Sequence, residues 1–140
     1  MSQQQILKWS EFTRTQYAIY MLIGFVIWVS GVVLVRVIGE TALSEGSNLL
    51  ILLYVLSIPI GIVTMYITRL LCRLSMDEML IPILVMLFTT LTLDGWAVGF
   101  TDLYGATNEM VRYAGGWLLW TFGTQIIITM LMVRPKANEA

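Results

Sequence analysis

Charged residues in this chain fall in clusters, and long uncharged apolar stretches separate them. Thr15 to Val35 is 21 residues between Arg14 and Arg36, Gly46 to Thr68 is 23 between Glu45 and Arg69, and Tyr113 to Val133 is 21 between Arg112 and Arg134. Each supplies the roughly 20 residues a helix needs to cross a hydrocarbon core of about 30 Å. A further stretch, Met79 to Leu93, is only 15 residues long before Asp94. It becomes a full span only if Asp94 lies within the membrane and the helix runs on to about Phe100; the other reading is a re-entrant segment. The pattern predicts an all-α integral membrane bundle of four transmembrane helices, one domain over 1–140, with spans at about 15–36, 47–68, 78–100 and 113–133.

Local signals sharpen the edges. Ser75-Met76-Asp77-Glu78 has the spacing of a capping box and would start the third span. Pro59 sits within the second span and should kink it, because it removes a helix donor facing the Val55 carbonyl. Pro135 should stop the fourth. Ile6, Trp9 and Phe12, beside Lys8 and Arg14, suggest a short helix lying along the inner leaflet. No small-residue cleavage site follows the first span, which therefore reads as an anchor.

Lys and Arg counts set the orientation. Lys8, Arg14, Arg69, Arg73, Arg134 and Lys136 flank one side, against Arg36 and Arg112 on the other. Both termini are therefore expected in the cytoplasm, with the inner (plasma) membrane as the location. Tyr17, Tyr20 and Tyr66 near the inner edge, and Trp96, Tyr104, Tyr113 and Trp117 near the outer one, are expected to form interfacial belts.

Composition agrees and excludes much chemistry. Of 140 residues, 58% are hydrophobic and 12% charged, with a mean hydropathy of +0.81; a soluble domain of this length could not hide so much apolar surface. A net charge of -1 offers nothing to nucleic acid. The chain has no histidine, which removes imidazole ligation of haem, zinc or copper and the commonest general base. A single cysteine, Cys72, precludes an intramolecular disulfide or a CxxC pair. We therefore expect no cofactor, no metal and no catalytic residue.

Asp94, in Thr92-Leu93-Asp94-Gly95-Trp96, is the most informative residue. Counting from Glu78 at about 1.5 Å per residue puts it roughly 24 Å along its helix, short of the water. A carboxylate there is costly and marks a site by default. Arg36, closing the first span at similar depth, is the expected ion-pair partner. The bland alternative has Arg36 snorkelling to headgroups and Asp94 reaching water by itself; a third reading makes Asp94 a proton-coupling group. Gln125 in the fourth span and Thr92 in the third form a candidate interhelical polar contact, alongside Thr89 and Thr90; a substrate pocket is the alternative. Gly24 with Gly31, Gly116 with Gly123, and Ser57 with Gly61 give small faces for close packing, within one chain or between chains. A shift of 66 residues aligns Gly39, Thr41, Leu52 and Leu53 with Gly105, Thr107, Leu118 and Leu119, the pattern of a parallel repeat.

The run Val32-Val33-Leu34-Val35-Arg36-Val37-Ile38-Gly39, then Asn48-Leu49-Leu50, then Leu93-Asp94-Gly95, then Gly115-Gly116-Trp117-Leu118-Leu119-Trp120 and Gly123 resembles a family of short, mostly bacterial four-span membrane proteins. That family is classed only as a domain of unknown function. Arg36, Gly39 and Asp94 match its pattern. The resemblance implies the fold and no activity.

The expected function is that of a small non-enzymatic membrane protein, a structural or accessory subunit embedded in the lipid bilayer. It would pack with itself as a homo-oligomer or with a larger membrane complex. The alternative is a small oligomeric transporter or channel using Asp94. A lipid-modifying enzyme would need convergent carboxylates or a nucleophile, and the sequence supplies neither arrangement.

Overall fold

The computed structural model describes residues 12–104 and 107–133. They form α1 (Arg14–Ala42), α2 (Asn48–Cys72), one 3-10 turn (Met76–Glu78), α3 (Leu80–Phe100) and α4 (Asn108–Met132). All four α-helices are long and apolar enough to cross a membrane. The expected leaflet helix before Arg14, the Pro135 stop, Lys8, Arg134 and Lys136 lie outside the described residues.

Helix ends follow capping chemistry and not the edges of the apolar stretches. Thr13 and Gln16 close a capping box at the start of α1: Gln16 Oε1 accepts the Thr13 N–H at 2.8 Å, and Thr13 Oγ1 accepts the Gln16 N–H at 3.3 Å. The helix runs on through Arg36, whose side chain is exposed, to Ala42. It passes Gly39 unbroken and ends before Gly46, which takes φ +73 in the following connection. At Ser75 the Glu78 carboxylate accepts both the N–H (2.8 Å) and the hydroxyl (2.6 Å), fixing the 3-10 turn that leads into α3. Thr107 accepts the Met110 N–H and starts α4 ahead of Tyr113. Glu109 falls in that first turn, where the helix dipole favours a carboxylate.

The bundle's connectivity is uncommon for short loops. Gly24 lies against Met86, Trp28 meets Asp94, and Arg36 meets Leu103, so the contacts advance in the same sense along α1 and α3. These two helices pack in parallel. So do α2 and α4, through Leu53 with Trp117, Tyr54 with Trp120, and Gly61 with Gln125. These two parallel pairs carry most of the packing, and the order around the bundle is α1, α3, α4, α2. A two-fold axis along the bundle would set α1 diagonally opposite α3, so this neighbour order does not follow the repeat that the 66-residue shift suggested.

Two apolar clusters pin the ends. Tyr20, Met65, Met79, Ile83 and Met86 are buried at the end where α1 begins, α4 finishes and 73–79 connects α2 to α3. Val35, Leu43 and Met110 are buried at the loop end, where α1 joins α2 and α3 joins α4. Tyr20 departs from the belt expectation. It is 1% exposed, and its hydroxyl is fully buried and takes no hydrogen bond among the described residues. Sequence gives a residue's depth along a helix but not the direction it faces.

One position is strained. Arg73 ends α2 with φ 53, in the left-handed region. The Leu74 N–H bonds the Arg69 carbonyl at 3.0 Å and the Arg73 N–H bonds that of Leu70 at 3.4 Å, a Schellman closure that ordinarily carries glycine. Arg73→Gly should therefore stabilise the folded protein by about 1 kcal/mol, read as a raised melting temperature in mild detergent.

Candidate functional site

Asp94 is 9% exposed and faces α1 from the loop-end half of α3. Its Oδ1 accepts two hydrogen bonds. The indole Nε1 of Trp28 donates from α1 at 2.9 Å, and the hydroxyl of Tyr104 donates from the α3–α4 connection. No hydrogen bond reaches Oδ2 among the described residues. Two neutral donors thus hold the carboxylate, each brought by a different segment.

The expected Arg36–Asp94 ion pair is not made. The Arg36 Nε–H donates to the Leu103 carbonyl at 2.6 Å, and its Nη2 donates to the Asp102 carbonyl at 3.2 Å. The two residues lie on the same helix pair toward the same end, as their depths implied. Their side chains part because Arg36 sits two turns beyond Trp28, level with the connection and not with Asp94. The guanidinium fork suits paired carbonyl oxygens, and the exposed backbone of residues 102–103 supplies them. Both residues nevertheless serve one segment: Arg36 clamps its backbone while Asp94 holds its Tyr104 side chain.

Burial and the bond to Asp94 both raise the Tyr104 pKa well above the ordinary phenol value of 10.0. The neutral phenol is thus the favoured form in the folded protein. A group whose folded pKa is raised contributes stability that is complete below its unfolded pKa and is lost as pH climbs beyond it. Folded stability should fall above about pH 10, with a shallower fall in Tyr104→Phe. Denaturant midpoints across pH 8–11 for both proteins check this.

Gln125 and Thr92 do not meet either. Thr92 is exposed on α3 and donates back to the Phe88 carbonyl at 2.8 Å. Gln125 is 7% exposed; its Nε2 donates to Thr129 at 3.4 Å and its Oε1 presses against Gly61 of α2. The helical period explains the miss, since Thr90, two residues before Thr92, is the threonine of α3 that faces inward. Thr89 and Thr90 also bond carbonyls of their own helix.

Gln125, Ser57, Gly61, Thr64, Thr90 and Thr121 line part of a cleft of about 100 Å³, completed by apolar side chains from all four helices. It abuts the terminal-end cluster, with which it shares Ile83 and Met86. No group of three or more His, Cys, Asp or Glu among the described residues is placed to hold a metal.

The fold and this site define a four-helix, all-α protein with a hydrogen-bonded buried carboxylate. No protein-family model matches the chain, and no curated protein or solved structure matches it significantly.

Proposed function

We propose that the chain is a small non-enzymatic integral membrane protein of the inner (plasma) membrane, with both termini cytoplasmic. It acts as a structural or accessory subunit that packs with itself or with a larger membrane complex. One observation carries this reading. Asp94, the costliest residue in the apolar spans, takes its hydrogen bonds from Trp28 and Tyr104 and so ties the α3–α4 connection to α1. A buried carboxylate used in this way supports architecture. The four apolar helices support the membrane placement.

Extraction in mild detergent, followed by native mass measurement and identification of co-purifying chains, tests the role. A defined heteromer, or a homo-oligomer without ion flux in liposomes, is the expected result. A homo-oligomer whose proton- or cation-dependent flux disappears in Asp94→Asn contradicts it and favours a transporter or channel. The transport reading draws support from Asp94 Oδ2, which takes no hydrogen bond among the described residues.

Cys72 tests the orientation, because it ends α2 beside Arg69 and Arg73. A membrane-impermeant thiol reagent should leave it unlabelled in intact cells and label it in inverted vesicles. The reverse pattern would place this end of the bundle outside.

A further inference from the structure

The cleft between the four helices holds polar atoms that the bundle does not use. Ser57 donates to the Tyr54 carbonyl at 2.7 Å, Thr90 to that of Leu87 at 2.8 Å, and Thr121 to that of Trp117 at 2.8 Å. Those three hydroxyls are satisfied by their own helices and present mainly methyl or methylene carbon to the cleft. Thr64 and Gln125 differ. The Thr64 hydroxyl makes no hydrogen bond among the described residues. Gln125 engages Thr129 through Nε2 only, which leaves Oε1 without a donor although the side chain is over nine-tenths buried.

An amide oxygen in apolar surroundings needs a donor, and a hydroxyl lining the same cleft can give and receive one bond. The remaining walls are Ile27, Ile60, Ile83, Met86, Leu87 and Phe122. Of these, Ile27 and Ile60 are also exposed on the outer surface, at 38% and 59%. The cleft therefore carries two unused polar groups, on α2 and α4, and a greasy margin that reaches the outward side of α1 and α2.

We propose that this cleft binds a lipid-soluble alcohol, with the ligand hydroxyl donating to Gln125 Oε1 and accepting from Thr64, and its hydrocarbon leaving past Ile27 and Ile60. A hydroxyl is the group that supplies one donor and one acceptor together while the rest of the molecule stays apolar. The volume fits a head and the first few carbons, so the tail lies among the acyl chains. The inference rests on the membrane placement proposed above. Recovery of the chain in alkali-washed membrane pellets tests that placement separately.

The probe is a diazirine-bearing octanol, photolysed with the purified full chain in mild detergent and mapped by peptide mass spectrometry. Adducts should concentrate on cleft-lining residues. Excess 1-octanol should reduce them at least fivefold, and octane should not. Gln125→Met, which keeps the volume but offers no amide oxygen, should lose most of the cleft labelling while its melting curve stays cooperative. Thr64→Val should weaken labelling in the same direction, which keeps the inference testable if Gln125→Met does not fold. Adducts spread evenly over the lipid-facing residues, equal competition by octane, or undiminished labelling in both variants would each overturn it. An unlabelled cleft in a folded, membrane-recovered protein would show that only water or nothing occupies it.

Discussion

Gly24→Val should destabilise the bundle by about 2–3 kcal/mol, because the parallel seam between α1 and α3 has no room for a side chain. A Cβ on Gly24 would lie 2.8 Å from the Met86 carbonyl oxygen and 3.0 Å from the Met86 Cα. Those are backbone atoms of a helix, so relief requires one helix to move against the other. Without a hydrophobic drive between helices in lipid, close backbone approach at small residues is a main source of association. Gly31, one heptad on, is the control: nothing lies within 4 Å of its would-be Cβ. Gly31→Ala should not destabilise, and should gain about 0.5–1 kcal/mol, because glycine inside a helix costs that much relative to alanine. Unfolding by SDS titration from mild detergent, followed by tryptophan fluorescence, measures both. Equal effects at the two glycines would refute the parallel seam.

Asp94→Leu should cost about 1.5–3 kcal/mol in the same assay. The substitution removes the common acceptor and strands the Trp28 indole N–H and the Tyr104 hydroxyl, each of which loses a bond to a carboxylate. Removing a buried carboxylate also relieves its desolvation penalty, and the net cost is therefore less than two such bonds would suggest. Asp94→Asn keeps an oxygen for both donors and should cost less than half as much. The α3–α4 connection should loosen with Asp94→Leu, seen as faster proteolysis between residues 101 and 107. A Leu variant as stable as the parent, with an unchanged cleavage rate, would deprive the carboxylate of its architectural role.

The four helices were legible because charges interrupt apolar stretches at intervals long enough for a helix to cross a bilayer. Their ends were less so. Thr13 and Gln16, and Thr107 ahead of Glu109, extend the helices beyond the apolar edges, and the Thr-x-x-Gln spacing at Thr13 was there to be read. Asp94 stood out as a residue needing partners, and it takes two, Trp28 and Tyr104. The partners themselves did not stand out, because depth along a helix is one coordinate and direction around it is another. A buried carboxylate suggests a countercharge, which pointed to Arg36 over neutral donors. Trp28 offered a signal: an indole within an apolar span, away from any interfacial belt, needs an acceptor for its N–H. The Gln125–Thr92 expectation failed on the helical period, with Thr90 and not Thr92 on the inner face. Among the small residues, Gly24, Gly61 and Gly116 are packed against neighbours while Gly31 and Gly123 are not, a division that spacing alone does not reveal. The α1–α3 contact was implied by the expected Arg36–Asp94 pair, whereas the parallel α2–α4 pair was hidden, since short loops ordinarily favour antiparallel neighbours.

What holds Asp94 is tested most directly by a pair of double-mutant cycles. In the first, Asp94→Leu is combined with Tyr104→Phe; in the second, with Arg36→Gln. Each is read as unfolding free energy in detergent. The Tyr104 cycle should show a coupling of about 1–2 kcal/mol, because the two residues share a hydrogen bond. The Arg36 cycle should show less than half of that, because the guanidinium bonds the carbonyls of Leu103 and Asp102 instead. Additivity in the Tyr104 cycle, with strong coupling between Asp94 and Arg36, would contradict the account and restore the ion pair.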